Sequence, residues 1–145
     1  MNTLEQRKAQ LLDEFRGISE WDDKYKIIIQ KGKSLSLDDK LKTDENKVKG
    51  CQSQVWVTCQ LDGDKLIYNA DSDAMIAKGL VALLTELYSG LTPQEVIADD
   101  MEIIKMMGLD SHLSPSRTNG LYSMIKKMKY YAVAYQAMLS QQPNQ

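Results

Sequence analysis

From Leu4 onward, apolar residues recur at helical spacing. Leu4, Leu11, Leu12 and Phe15 share a stripe, with Thr3 placed to cap it and Gly17 to end it. A second amphipathic stretch takes Ser19 as its predicted cap. It sets Trp21, Tyr25, Ile28 and Ile29 on one face and stops near Gly32. Between Leu35 and Gly50 the period vanishes. Asp38, Asp39, Lys40, Lys42, Asp44, Glu45, Asn46 and Lys47 form a polar run that reads as a long loop, and long ordered loops often carry function. The period then becomes two. Val55, Val57 and Cys59 alternate with Gln54, Trp56, Thr58 and Gln60, which predicts a strand over 52–61. Asp62-Gly63, lengthened by Asp64, signals a hairpin, and 65–70 returns with Leu66 and Tyr68 on one face. A third strand is expected at 46–50, and so small a sheet must pack on helices.

Asp71-Ser72-Asp73 reads as the cap of the next helix. Met75, Ile76, Leu80, Leu83, Leu84 and Leu87 form its apolar face, and Lys78 and Glu86 its wet positions. Gly90 closes it. Thr92-Pro93 opens a short helix, a second spans about 101–107, and Gly108 ends that. Ser114-Pro115 opens the last helix, with Leu121, Met124, Ile125, Met128, Ala132 and Tyr135 as its stripe. Strands grouped between runs of helices predict an α+β fold, a small antiparallel sheet of two or three strands flanked by about six helices. Residues 1–140 read as one domain and 141–145 as a frayed polar tail.

Composition narrows the function classes. The 145 residues are 43% hydrophobic and 26% charged, ordinary for a globular domain able to bury a core without staples. A net charge of −2 gives no global field for nucleic acid or an anionic membrane. No apolar run reaches the roughly 20 residues of a membrane span. Met1 to Glu5 lack the basic and apolar regions of a secretory leader, so the expected compartment is the cytoplasm. There are two cysteines, Cys51 and Cys59. On extended chain their separation is roughly 26 Å, whereas a disulfide needs Cα atoms within about 7 Å. They are expected to be separate thiols, which suits a reducing compartment.

Cys51 is the leading chemical candidate. It follows Gly50 at a loop-to-strand junction, and Lys47 and Lys49 are near enough in sequence to lower its pKa. A thiolate is the useful nucleophile; the bland alternative is that Cys51 merely fills apolar space. Cys59 shares the face of Val55 and Val57 and reads as core. With His112 the cysteines supply only three soft ligands and no CxxC or HxxxH spacing, so no metal site is expected. His112 is either one half of a Cys–His pair with Cys51 or a surface or capping residue. No phosphate-cradling glycine pattern occurs. Lys126, Lys127 and Lys129 read as a solvated flank of the last helix, with RNA or partner binding as the alternative.

The segment Gly50-Cys51-Gln52-Ser53-Gln54-Val55-Trp56 resembles the signature of the SufE family, the sulfur acceptors of iron–sulfur cluster assembly. Asp71-Ser72-Asp73-Ala74 with Lys78-Gly79-Leu80 resembles the family's stretch after the hairpin. Leu91-Thr92-Pro93-Gln94-Glu95 and His112-Leu113-Ser114-Pro115-Ser116-Arg117 with Gly120-Leu121 resemble its later motifs, in order. The likeness runs from about Leu11 to about Tyr131. It implies a SufE/IscU-like fold and a carrier without cofactor. In that role Cys51 takes sulfur from a pyridoxal-phosphate (SufS-like) cysteine desulfurase as a persulfide, stimulates that enzyme, and passes the sulfur to a SufBCD-like scaffold.

The resemblance also implies that the cysteine loop rests against an apolar cavity and is released on docking. Gly50, Gln52, Asp73, His112 and Arg117 are the positions that match the family around that loop, in partner-binding or loop-supporting roles. Arg117 either holds the loop or stabilises a developing thiolate, or it is a helix-start residue paired with Asp71 or Asp73. Asp73 is either part of this support or only a cap. Alternatives are a desulfurase-binding regulator without transfer, a CsdE-type carrier serving another acceptor, an iron–sulfur scaffold, and a Cys–His hydrolase; a homodimer is a further option. Cys59 and the C-terminal tail lie outside the family pattern.

Overall fold

The computed structural model describes residues 3–141. Helix α1 (Leu4–Phe15) opens as its cap predicts: Thr3 accepts from the Gln6 N–H, and the Gln6 side chain accepts from the Thr3 N–H. Helix α2 (Trp21–Gly32) follows, with Glu20 at its N-cap and no side-chain cap bond, so Ser19 lies one residue too early. Ile28 is fully buried, with Trp21, Tyr25 and Ile27 packed around it; Ile27 takes the core-facing place expected of Ile29. A 3-10 turn at Asp39–Leu41 interrupts the polar loop.

Strands β1 (Val55–Asp62) and β2 (Lys65–Ser72) form an antiparallel hairpin in which Val55 pairs with Ser72 and Asp62 with Lys65. The expected third strand is only a bridge. Lys47 pairs with Trp56, and the Val48 N–H donates to the Val55 carbonyl at 2.7 Å. On the other edge the Leu66 N–H donates to the Leu91 carbonyl at 2.8 Å. Both edges of the hairpin are thus covered locally, which limits templated pairing with another chain.

Helix α3 (Met75–Tyr88) touches the sheet, α1, α2 and α7. Gly79 to Leu84 are buried consecutively, so this helix has no single apolar face; it is the centre of the core. In its first turn Ile76 and Ala77 pack against the core, but Met75, expected inside, is 69% exposed. The Asp71-Ser72-Asp73 cap is also corrected. β2 runs through Ser72, the N-cap of α3 is Ala74, and no side chain caps the helix. Asp71 instead pairs with Lys42 and Lys78, each at 3.3 Å.

Helices α4 (Pro93–Ala98), α5 (Glu102–Met106) and α6 (Leu109–His112) lead to α7 (Pro115–Ser140). α6 is a short turn where the sequence suggested loop. The stripe predicted for α7 is buried from Leu121 to Ala132. Of the tail expected at 141–145, only Gln141 falls among the described residues, as the C-cap of α7.

Two devices fix the helices. Asp99 is buried between α1, α3 and α7: Lys8 Nζ lies 2.6 Å from Oδ1, the Tyr88 hydroxyl donates to Oδ2 at 2.6 Å, and Lys129 donates to the Asp99 carbonyl. Burial alone would raise the carboxyl pKa, but Lys8 and Tyr88 outweigh it and hold the group below the usual carboxylate range. The second device is the crossing of α2 and α3, where a Cβ on Gly32 would stand 2.8 Å from the Gly79 nitrogen. A Cβ on Gly79 would press into the Ile28 carbonyl. Gly79→Ala is therefore expected to lower stability by about 1–3 kcal/mol, read as a reduced urea midpoint. An unchanged midpoint would mean that the crossing is loose.

Candidate functional site

The loop bearing Cys51 is tied at both ends. At its base the Val57 N–H donates to the Asn46 carbonyl at 2.8 Å, and Lys127 of α7 donates to the Glu45 carbonyl at 2.6 Å. The Tyr131 hydroxyl lies 3.0 Å from Asn46 Oδ1 and 3.1 Å from the Val57 carbonyl. At the far end the Gln54 N–H donates to Asp73 Oδ1 at 3.0 Å, the Asp73 N–H returns to the Gln54 carbonyl at 3.2 Å, and the Ser72 hydroxyl donates to the same carbonyl at 2.8 Å. Between these ties the chain turns at Gly50, whose φ of 95° favours glycine; a Cβ there would also sit 2.5 Å from Ser123 Oγ.

This turn aims Cys51 inward. Sγ donates to the Gly120 carbonyl on α7 at 3.5 Å, and a Cβ on Gly120 would stand 3.3 Å from that sulfur. The thiol borders a cavity of about 500 Å³ with Met75, Leu80 and Met124 among its apolar walls and Ser114 and Arg117 among its polar ones. Half-burial there raises the Cys51 pKa above the usual thiol value. The expected lowering by Lys47 and Lys49 does not occur. Lys47 and Lys49 line a hollow that also reaches Cys51, but desolvation of the half-buried sulfur governs. At neutral pH the resting group is a thiol, able to donate to a carbonyl but a poor nucleophile.

The structure brings Gly50, Gln52, Asp73 and Arg117 to this site but not His112. Gln52 is exposed and lines the cavity. Asp73 accepts from the Gln54 backbone. Arg117 lines the cavity from the first turn of α7 and, among the described residues, makes no salt bridge; Asp71 and Asp73 are engaged elsewhere. The His112 ring stacks on Trp21 at 4.1 Å, its Nδ1 is 3.0 Å from the Gly108 carbonyl, and it does not line the cavity, so no Cys–His pair forms. Cys59 is buried against Tyr68 and the β1 backbone, and burial pushes its thiol up to about 12. Lys127 and Lys129 tie α7 to backbone carbonyls and are not merely a solvated flank. Gly120, Ser123 and Met124 complete the seat; in sequence, only Gly120 signalled itself, as a glycine inside a long helix.

Among the described residues, no cluster of His, Cys, Asp and Glu side chains could hold a metal ion, and no helix is long and apolar enough to cross a membrane.

Residues 9–132 match the family model SufE, described as an Fe-S metabolism associated domain. The chain belongs to the SufE family. It is 40% identical over 126 residues to an uncharacterized SufE-like protein of Rhizobium meliloti (strain 1021), covering 83% of this chain and 90% of that one. To an uncharacterized SufE-like protein of Synechocystis (strain PCC 6803) it is 38% identical over 135 residues, covering 92% and 85%. A solution structure of a hypothetical protein from Thermus thermophilus shares the fold, with a TM-score of 0.75, 17% identity and coverage of 90% and 96%. Membership of SufE places the chain in iron–sulfur metabolism as a sulfur-related accessory protein.

The seat of the SufE cysteine has a direct test. A methyl group on Gly120 would crowd Sγ, and overpacking costs about 1–3 kcal/mol. Gly120→Ala is expected to raise the alkylation rate of Cys51 by iodoacetamide about tenfold or more, with the rate at Cys59 unchanged. Equal Cys51 rates in the two proteins would show that the thiol is not held there.

Proposed function

We propose that this protein is a sulfur carrier whose working atom is Cys51 Sγ. The observation that carries the reading is the placement of the signature cysteine. It stands at the turn of a loop tied at both ends, seated in a cavity but with only one weak sulfur hydrogen bond to break.

A cysteine desulfurase acting through pyridoxal phosphate presents a persulfide. Docking unseats Cys51, the thiol loses its proton to solvent or a base of the partner, and the thiolate attacks the outer sulfur. The new Sγ–S bond forms as the donor S–S bond breaks, and the donor cysteine leaves as thiolate with the electron pair. The exchange is redox-neutral. Arg117, which makes no salt bridge among the described residues, lines the same cavity, where its guanidinium would favour a persulfide anion. The loaded carrier then delivers sulfur to a scaffold for iron–sulfur cluster assembly; a CsdE-type role with another recipient uses the same steps. Both readings place the protein in the cytoplasm, in agreement with two free cysteines.

A second reading is favoured by one observation. The resting thiol points inward onto a carbonyl and burial raises its pKa, as would suit a docking module that stimulates a desulfurase without accepting sulfur. Intact-mass spectrometry separates the two. After incubation with desulfurase and L-cysteine without reductant, the carrier should gain one sulfur atom, mapped to Cys51 and removed by dithiothreitol; Cys51→Ser should gain none while still binding the enzyme. An unloaded Cys51 beside a bound, active desulfurase would leave only the regulatory reading.

A further inference from the structure

Beside the Cys51 loop lies a second hollow, of about 730 Å³, between the loop base and α7. Lys47, Lys49, Lys126 and Lys127 line it, against the carboxylates of Asp44 and Glu45. This local excess of cations stands out on a chain whose net charge is −2. Tyr130, 65% exposed, and Tyr131 form an aromatic wall, with the Lys127 ammonium 5.2 Å from the Tyr131 ring centre. Lys49 and Lys126 are exposed, whereas Lys127 is committed to the Glu45 carbonyl. Lys47 and Lys49 also border the hollow that reaches Gly50 and Cys51, so the cationic surface runs up to the sulfur-bearing loop. Burial and the nearby Lys49 lower the Lys127 pKa, and an arriving carboxylate would relieve that destabilised charge.

We propose that this lysine- and tyrosine-lined hollow is the docking surface for an acidic segment of the protein that donates sulfur to Cys51. The inference rests on the reading of Cys51 as the acceptor and adds how its donor is recognised. Because the uncharged carrier keeps Sγ inside, the donor meets other groups first. Those groups must be exposed at rest, lie against the loop and offer something complementary. The hollow meets all three conditions. Exposed charges of this kind act mainly on association rate and salt dependence. Carboxylates seated over Lys49 and Lys126, with an apolar or aromatic neighbour on Tyr130, would bring the donor persulfide to the face on which the loop opens.

The test is the charge-reversed double variant Lys49→Glu/Lys126→Glu. Both residues are exposed, which spares the fold, and neither belongs to the Cys51 seat. The control is Lys33→Glu/Lys105→Glu, the same charge change at exposed positions outside the hollow. Binding of each to a pyridoxal-phosphate cysteine desulfurase loaded with L-cysteine is measured at ionic strengths of about 0.01 M and about 0.15 M, where the Debye length is about 30 Å and about 8 Å. The hollow variant should bind about tenfold or more weakly at low ionic strength and lose most of its salt dependence, with the control close to the unsubstituted protein. Equal losses in both variants would mean that net charge alone matters and overturn the proposal, as would no loss in either. A defect confined to discharge of sulfur onto a recipient would overturn it as well. Intact mass at saturating desulfurase keeps the two levels apart. Sulfur on Cys51 in every protein leaves the carrier reading standing whatever the binding result, whereas no sulfur on the unsubstituted protein removes both.

Discussion

A single missing methyl group organises this molecule's chemistry. Because Gly120 has no Cβ, α7 lets the Cys51 sulfur lie against its backbone, within hydrogen-bonding reach of a carbonyl and beside an apolar cavity. A carbonyl oxygen accepts from a neutral thiol but repels a thiolate. The seat therefore selects the protonated form, and desolvation pushes the pKa the same way. At rest the sulfur is held in its less reactive form.

The rest of the fold would keep any movement of the Cys51 loop local. Lys127 and Tyr131 hold the loop base to α7, and Asp73 with Ser72 holds its far end to the start of α3. Those elements are fixed in turn by the glycine crossing of α2 and α3 and by the buried Asp99 group. Between rigid anchors lies a short segment turned by Gly50 and held chiefly by a weak sulfur–carbonyl contact. Displacing that segment would leave the anchoring elements in place.

Much of this was legible along the chain because local signals matched the global fold. Alternation at Val55, Val57 and Cys59 gave β1, and Thr92-Pro93 and Ser114-Pro115 marked helix starts that the structure reproduces. What failed was set by three-dimensional environment. Asp71 and Asp73 are good capping residues, but pairing with β1 carries the strand through Ser72 and turns Asp71 toward Lys42 and Lys78, while Asp73, just beyond the strand, accepts from the Cys51 loop. Met75 fits the helical period but stands beyond the layer it would fill. Lys47 and Lys49 are neighbours of Cys51 in sequence, yet its sulfur donates to the Gly120 carbonyl beside the cavity, and burial rather than their charge sets its pKa. That reversal could not be read locally, because it depends on Gly120, far along the chain, whose place in a long helix marked it without showing what it would face.

Two influences compete for the resting thiol, burial and the adjacent lysines, and a quiet thiol requires that burial govern. The direct measurement is an NMR titration of the Cys51 ¹³Cβ resonance in the free protein, with a cysteine-containing unfolded peptide as reference. Seating against Gly120 predicts a midpoint above that of the peptide. A midpoint at or below the peptide's would mean that Lys47 and Lys49 already favour the thiolate at rest, and would contradict a thiol kept quiet by its seat.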